Sequence, residues 1–244
     1  MPMFNGRFIQ RLVVLTGAGV SAESGVPTFR DPDGLWEQYD PMDLATPEAF
    51  RRDPALIYRF YNSRRARLAG VEPNAAHLAL ARLQREFAGD VFLVTQNVDD
   101  LHERAGAQIG LEKGRVLHMH GELLASLCSA CGNKQPTDQP FDGASACPAC
   151  ARRGSLRPDV VWFGEMPYFM DEIETRLADC DLFIAVGTSG LVYPAAGFVR
   201  TARTSGATAV EVNLEPSDTA SLFHLQRRGP ATEQLPALVA ELLS

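Results

Sequence analysis

Four short apolar segments constrain the fold of this chain more than any other feature. Each is a run of aliphatic residues that ends in small or polar residues: RLVVLTGAG (11–19), VFLVTQNVD (91–99), LFIAVGTSG (182–190) and AVEVNLEPS (209–217). Continuous apolar runs of this length are typical of strands buried on both faces, as in a parallel sheet covered by helices. The runs therefore predict four central strands of such a sheet.

Amphipathic patterns lie between these runs. They predict helices at AAHLALARLQREF (75–87), MDEIETRLAD (170–179) and PAAGFVRTARTSG (194–206). An alternation of strands and helices indicates an α/β fold with a Rossmann-like, doubly wound parallel sheet.

Two stretches interrupt the alternation. Residues 31–74 hold several prolines and the helical pattern IYRFYNSRRARL (57–68), and residues 121–159 are rich in Cys, Gly, Pro and Ala. We expect both to fold beside the sheet as one small inserted module within a single domain, residues 1–244. The expected boundaries are approximately 36–74 (helical) and 121–159 (cysteine-rich) for the small module, and 1–35, 75–120 and 160–244 for the large part.

Composition excludes some classes of function. The net charge of −7 argues against a nucleic-acid-binding protein, which needs a basic surface. The sequence has no apolar run of transmembrane length and no signal-peptide pattern at its start, so we expect a cytoplasmic protein that does not contact a membrane. We also expect a monomer.

Two cysteine pairs form the most specific local pattern. Cys128 and Cys131 make one Cys-x-x-Cys, Cys147 and Cys150 make another, and residues 132–146 separate them. Two such pairs supply four thiolates to a tetrahedral zinc ion and leave no position for a catalytic water. The pattern predicts one structural zinc, the alternative being four unrelated reduced thiols. The fifth cysteine, Cys180, is expected to pack beside a strand.

The first apolar run ends in a glycine pattern. Gly17, Gly19 and Ala22 fit G-x-G-x-x-A, in which the backbone approaches a pyrophosphate and a following helix N-terminus attracts its charge. A purely structural turn is the alternative. An ordinary dehydrogenase would end its second strand with an acidic residue about 20 residues later. This chain has the proline-containing SGVPTFRDPDGLW (24–36) instead, which indicates a different posture for the dinucleotide.

Two histidines precede the cysteine segment. His118 and His120 alternate, so in a strand both imidazoles share a face. Histidine is well suited to proton transfer near neutral pH, although a structural role is equally compatible with the local sequence. His77 lies in a helical pattern and is expected to be structural.

Together these residues resemble the sirtuin family of NAD-dependent protein lysine deacylases. The resemblance covers nearly the whole chain in order: GAGVSAESGVPTFR (17–30), TQNVDDLHERAG (95–106), HMHGE (118–122), the two cysteine pairs, VVWFGE (160–165), GTS (187–189) and VNLE (212–215). It implies that NAD and an acyl-lysine of a protein or peptide meet in a cleft between the two parts. The segment after the glycines would be a mobile flap over NAD.

The resemblance also implies roles for individual residues. Those expected to contact NAD are Gly17, Ala18, Gly19, Ala22, Phe29, Arg30, Trp36, Gln96, Asn97 and Asp99. Those expected around its adenosine half are Gly187, Thr188, Ser189, Asn213, Leu214, Glu215 and Ala231. Asn97 and His120 would be catalytic, with His120 the general base on a ribose hydroxyl and His118 a supporting residue. The products would be free lysine, nicotinamide and O-acyl-ADP-ribose.

Substrate choice is expected to depend on the acyl group. Val161, Phe163, Gly164 and Glu165 belong to the segment that in sirtuins pairs with an extended substrate peptide through main-chain bonds. Tyr61 and Arg64 match the Y-x-x-R of sirtuins that prefer succinyl, malonyl and glutaryl groups, and Arg with a tyrosine hydroxyl can bind a carboxylate. Helical spacing alone equally allows Tyr61 with Arg65, and Arg59, Arg65 and Arg67 would form a solvated face.

Two other functions remain open. A protein ADP-ribosyltransferase would use the same fold and the same NAD. A zinc-ribbon module that binds nucleic acid or another protein is the non-enzymatic alternative, which the net charge and the NAD-type motifs oppose.

Overall fold

The structure is a computed structural model that describes residues 3–28, 40–111 and 116–244. Its strands are β1 (Met3–Phe4), β2 (Arg7–Phe8), β3 (Arg11–Thr16), β4 (Asp90–Thr95), β5 (Val116–His118), β6 (Gly121–Cys128), β7 (Lys134–Pro136), β8 (Leu156–Val160), β9 (Leu182–Val186), β10 (Thr208–Asn213) and β11 (Leu225–Arg228). Its α-helices are α1 (Pro41–Leu44), α2 (Pro47–Arg52), α3 (Pro54–Leu68), α4 (Ala75–Glu86), α5 (Leu101–Gln108), α6 (Met170–Ala178), α7 (Phe198–Thr204) and α8 (Ala231–Leu243).

A six-stranded parallel sheet lies at the centre, which confirms the predicted fold class. Its strand order is β11-β10-β9-β3-β4-β5, and the four predicted strands are its four central members. The chain runs from β3 to β4 and β5 on one side, then crosses to β9 and β10 on the other. The strand order thus reverses between β3 and β9, and ligands of such sheets bind at this point, outside the carboxyl ends of the strands.

Helices cover both faces of the sheet, so its central strands are apolar on both sides. On one face α4 and α8 pack on Leu12, Val14 and Ile184. On the other face α6 and α7 pack on Val13 and Phe183. Because successive residues of a strand point to opposite faces, each continuous apolar run contributes to both cores.

Side-chain caps fix where the two helices before β4 begin. Asp53 accepts a hydrogen bond from the Leu56 N–H at the start of α3, and Pro54 occupies the first turn. The Asn74 side chain accepts hydrogen bonds from the Ala76 and His77 N–H groups at the start of α4. These caps place α3 and α4 on either side of the turn at residues 69–74.

The cysteine-rich stretch contains a second sheet that was not predicted. β6 pairs with β7 and β8 on its two sides in an antiparallel sheet of order β7-β6-β8. Helix α3 packs against it, because Tyr61 and Phe60 share an apolar cluster with Leu123 and Trp162. The division into a large part and a small module with the boundaries given above stays a prediction.

The described helices include none that is both long and apolar enough to cross a membrane.

Candidate active site

The loops that follow β3 and β9 interlock at the point where the strand order reverses. The Gly17 N–H donates to the Val186 carbonyl, and the Gly19 N–H donates to the Gly187 carbonyl, both at 2.9 Å. A Cβ added to Gly19 would lie 2.7 Å from the Cα of Gly187, which is closer than packed carbons approach. These glycines are therefore required by backbone packing between the two loops, in addition to any ligand.

Within the described residues, no α-helix follows the glycines, although the G-x-G-x-x-A pattern implies one. Ala18–Val20 and Ala22–Ser24 form two short 3₁₀ turns, and Gly25 ends the second with a left-handed φ of 89°. Pro27 follows, and a proline restricts the residue before it to extended conformations. Phe29, Arg30 and Trp36 lie outside the described residues.

Loop residues Gln96, Asn97 and Asp99 follow β4, and we call Gln96–Asp99 the catalytic loop. Ser21, from the turn after the glycines, links its side chains. The Asn97 amide donates to Ser21 Oγ at 3.1 Å, and Ser21 Oγ donates to Asp99 Oδ2 at 3.1 Å. His77 Nε2 lies 3.3 Å from the same Ser21 oxygen. Ser21, His77, Asn97 and Asp99 are buried, and Gln96 is half-buried.

Sequence reasoning did not single out Ser21. The signal available for it was a hydroxyl between the apolar or small residues of GAGVSAESG, directly after a buried strand. His77 is structural, as predicted, because its ring is part of the cap of α4 and it supports Ser21. Burial lowers the pKa of His77 to about 4, so this ring is neutral at pH 7.

The predicted base, His120, lies beside the catalytic loop. Its Nδ1 lies 3.1 Å from the Gln96 carbonyl oxygen. A carbonyl only accepts, so Nδ1 carries the proton and Nε2 of the neutral ring keeps its lone pair. Burial lowers the pKa of His120 below its usual value, and the bond to Gln96 opposes the shift only partly. The imidazole is therefore neutral at pH 7, as a general base must be.

His118, unlike His120, has an acceptor facing each of its two ring nitrogens. Its Nδ1 lies 3.0 Å from the Asn97 carbonyl oxygen, and its Nε2 lies 2.8 Å from Glu103 Oε1. β5 ends at His118, so His120 lies beyond the strand, and the expectation that a strand repeat aligns the two rings is wrong. Both rings nevertheless reach adjacent carbonyls of the catalytic loop, those of Gln96 and Asn97.

Tyr61 and Arg64 of α3 lie on the side of the helix that faces this site. Tyr61 is buried, and its hydroxyl oxygen accepts a hydrogen bond from Trp162 Nε1 at 2.9 Å. Burial lowers the pKa of the Arg64 guanidinium, and the neighbouring Tyr61 phenol and Asp99 carboxyl oppose this shift. Arg64 is thus electrostatically coupled to the catalytic loop through Asp99.

Arg65 turns the other way. Its Nε donates to the Leu123 carbonyl at 3.2 Å, Nη1 donates to Asn62 at 2.6 Å, and the guanidinium lies over the Phe141 ring. Arg65 is 2% exposed, so the expectation that it belongs to a solvated face is wrong, whereas Arg59 and Arg67 are exposed. Helix α3 uses Arg65 to hold the cysteine-rich sheet.

The segment after β8 contacts both parts of the site. The Val161 N–H donates to the His120 carbonyl, and the Phe163 N–H donates to the Ala45 carbonyl, both at 2.8 Å. The Glu165 carboxylate accepts hydrogen bonds from both Arg157 Nη atoms, at 2.6 and 2.8 Å, so its negative charge is paired within the chain. Gly164 adopts a left-handed φ of 88° with open space around it.

The loops after β9 and β10 complete the edge of the sheet. The Asn213 amide donates to the Thr188 carbonyl at 2.7 Å, and Ser189 Oγ accepts from the Leu191 N–H. Leu214 and Glu215 are exposed, and Gly187 has a left-handed φ of 62°. Ala231 begins α8, which lies beside the turns that follow Gly17 and Gly19. Glu23 of these turns accepts hydrogen bonds from the backbone and side chain of Thr232, the second residue of α8.

The four paired cysteines converge at one point. Their sulfur atoms all lie within 4.8 Å of one another, with 3.8 Å between Cys128 and Cys150 and between Cys131 and Cys147. A tetrahedral zinc with bonds of about 2.3 Å requires sulfurs about 3.8 Å apart. The cluster therefore fits one structural zinc with four thiolate ligands. Cys180 is buried elsewhere, as expected.

Residues 17–194 match the model of the Sir2 family. The chain belongs to the Sir2 family. A protein of Caulobacter vibrioides named NAD-dependent protein deacylase is 55% identical over 241 residues, which cover 98% of this chain and 99% of that protein. Relatives named NAD-dependent protein deacylase therefore match this chain over nearly its full length.

Solved Sir2 structures have the same fold. One described as a Sir2 homolog–NAD complex is 39% identical, with a TM-score of 0.87 over 97% of this chain and 91% of that one. Another, described as Sir2-p53 peptide-NAD+, is 28% identical, with a TM-score of 0.76 over 96% and 93% of the two chains.

Proposed function

We propose that this Sir2 chain is an NAD-dependent protein lysine deacylase that removes succinyl- and malonyl-type groups and also acetyl groups. The observation that carries the proposal is the part-buried, neutral His120, whose Nε2 keeps its lone pair beside the catalytic loop. Relatives named NAD-dependent protein deacylase support the reaction class. The products would be nicotinamide, free lysine and O-acyl-ADP-ribose, and the enzyme would act in the cytoplasm.

The residues at the crevice fit a dinucleotide. Gly17 and Gly19 leave no side chain between a ligand and the backbone, and Asn97 and Asp99 supply buried polar groups at the next strand end. When bound, NAD supplies the ribose carbon to which the acyl oxygen adds and nicotinamide as the leaving group. The proposed contacts are Gly17, Ala18, Gly19, Ala22, Phe29, Arg30, Trp36, Gln96, Asn97 and Asp99, with Gly187, Thr188, Ser189, Asn213, Leu214, Glu215 and Ala231 for the adenosine half.

His120 is the proposed general base. Its Nδ1–H bond to the Gln96 carbonyl fixes the tautomer and the ring orientation, so Nε2 can accept a proton from a ribose hydroxyl. The Asn97 side chain is held by Ser21 and so is preorganised as the second catalytic group. The peptide would lie along Val161, Phe163, Gly164 and Glu165.

Tyr61 and Arg64 are the proposed selectors of the acyl group. The Trp162 N–H uses a lone pair of the Tyr61 oxygen, so this bond does not consume the hydroxyl's own proton. The interaction of Arg64 with Asp99 supports a position on the cleft side of α3, whereas the bonds of Arg65 oppose that role for Arg65. A carboxylate-terminated acyl group would gain charge-assisted hydrogen bonds from these donors, and an acetyl group cannot form them.

The reaction is tested by nicotinamide release from acetyl-, succinyl- and malonyl-lysine versions of one peptide. We expect release only when NAD and an acyl peptide are both present, and none from His120→Ala. Release from NAD without peptide, or undiminished release from His120→Ala, would contradict the proposal. Mass spectrometry of a target protein that gains ADP-ribose would favour the ADP-ribosyltransferase instead.

The acyl preference is tested by Arg64→Met, with Arg59→Met as the control on an exposed position of the same helix. Loss of a charged hydrogen bond predicts a fall in kcat/KM for the succinyl peptide of about 10- to 100-fold. The acetyl peptide should change much less, and Arg59→Met should change neither. An equal loss on both peptides in Arg64→Met would refute the role of this arginine.

A further inference from the structure

His118 is a buried residue with both ring nitrogens engaged, and the proposed reaction gives it no chemical step. Nδ1 faces the Asn97 carbonyl oxygen at 3.0 Å, and Nε2 faces Glu103 Oε1 at 2.8 Å. Both partners are acceptors, so both nitrogens must carry protons. The geometry therefore describes an imidazolium that joins helix α5 to the catalytic loop.

The bond to Asn97 depends on this charge. A neutral imidazole has a single N–H, and a carboxylate competes for it more strongly than a peptide carbonyl does. On deprotonation, His118 keeps the N–H that faces Glu103, and the Asn97 carbonyl loses its donor. Burial alone would lower the pKa of His118, but the hydrogen bond and charge of Glu103 outweigh burial and raise it to about 9.

The carbonyl that His118 holds is next to the one that orients the base. Gln96 accepts from His120 Nδ1, and Asn97 accepts from His118 Nδ1. The Asn97 side chain in turn bonds Ser21, which bonds Asp99. A rotation of the Asn97 peptide would therefore move the base and the asparagine amide together.

We propose that His118 is a positioning residue: its imidazolium, anchored by Glu103, fixes the Asn97 carbonyl and thereby the catalytic loop. The inference rests on the proposed deacylase function for its kinetic consequence. Its structural consequence, a rigid catalytic loop, is independent of the substrate.

The other charged and titratable groups near the imidazolium are mostly acidic. They are Asp99 in the catalytic loop, Asp100 and His102 at the start of α5, and Glu122 on β6. Burial lowers the pKa of His102 well below its usual value, so this neighbour is neutral and does not repel the cation. The surroundings of His118 thus favour its charged form.

Two amide variants separate its two bonds. In His118→Asn the amide nitrogen takes the place of Nδ1 and can still donate to the Asn97 carbonyl. In His118→Gln it takes the place of Nε2 and can still donate to Glu103. The proposal expects kcat to fall about 10- to 100-fold in His118→Gln, the effect of a lost charge-assisted hydrogen bond, with partial recovery in His118→Asn. Equal kcat values in the two variants would overturn it.

The pH profile gives a second test. Wild-type kcat should fall as pH rises through about 9, where His118 loses its proton. Glu103→Gln removes the charge that raises this pKa, so the alkaline fall should move to lower pH while activity near pH 6 is kept. In His118→Asn, which lacks the titrating group, the fall should disappear. An alkaline fall at the same pH in all three proteins would contradict the proposal.

A third measurement does not depend on activity. Hydrogen–deuterium exchange of the segment 95–101 should be faster in His118→Gln than in the wild type, and His118→Asn should be closer to the wild type. If the wild type releases no nicotinamide, the deacylase function fails, but this exchange comparison still decides the positioning role. Unchanged exchange in His118→Gln would refute it.

Discussion

Replacing Tyr61 by phenylalanine removes one oxygen with two proposed roles. In the fold, that oxygen accepts the Trp162 N–H at 2.9 Å, and both side chains are buried. An unsatisfied buried N–H costs about 1–3 kcal/mol, so the free energy of unfolding should fall by about that amount. For a chain of this size, each kcal/mol lowers Tm by about 2–4 °C.

The second role concerns the acyl carboxylate, and Tyr58→Phe provides a matched control. The Tyr58 hydroxyl lies on the same helix, is also buried, and donates to the Leu156 carbonyl at 2.7 Å. Its loss should destabilise the protein by a similar amount. Only Tyr61→Phe should lower kcat/KM for a succinyl peptide relative to an acetyl peptide, by about tenfold or more for a bond to a charged group.

The assay is a side-by-side measurement of kcat/KM on the two peptides, with thermal unfolding of each variant. If both variants reduce the succinyl-to-acetyl ratio equally, the effect follows from destabilised helix packing. If Tyr61→Phe lowers Tm but leaves the ratio unchanged, the hydroxyl does not bind the acyl carboxylate. Either result would refute the reasoning for this tyrosine.

Three other predictions follow from the same geometry. Cys128→Ser should reduce bound zinc below the one ion per chain expected of the wild type and lower Tm, as measured by metal analysis and thermal unfolding. Gly19→Ala should weaken NAD binding in calorimetry, because its Cβ would meet Gly187, whereas Gly70→Ala, whose Cβ would make only an ordinary contact with the Arg67 carbonyl at 3.8 Å, should not. Since folding lowers the pKa of His77 from about 6.5 to about 4, the free energy of unfolding should fall as pH drops through this window, and His77→Gln should reduce that dependence. The buried His102 contributes a slope of the same sign, so part of the dependence should remain; an undiminished slope in His77→Gln would exclude His77 as a source.

The central sheet could be predicted because its strands are buried on both faces. Residues 11–16 and 182–186, for example, are apolar almost without interruption, and no partner needs to be known to recognise such a run. The edge strands β5 and β11 are only three and four residues long and are partly exposed. β6 was missed in part because its partner β8 begins only at Leu156, far along the chain from Cys128, where β6 ends.

The site was predicted in its residue types more than in its geometry. Cys128 and Cys131, with their partners, follow from spacing alone, because thiolates at this spacing suit zinc. Ser21 was missed, since a hydroxyl in a turn is common and its role depends on two side chains from after another strand. The choice between Arg64 and Arg65 also depends on what each side of α3 faces.

The sequence by itself therefore determined the sheet class, the crossover helices, the zinc ligands and the family, because these depend on local periodicity, spacing and ordered motifs. Only the tertiary structure decided which histidine is charged. His118 and His120 are two residues apart, yet Glu103 of α5 makes one an imidazolium while burial keeps the other neutral. A pKa is set by desolvation and by charges a few ångströms away in space, and these neighbours come from other parts of the chain.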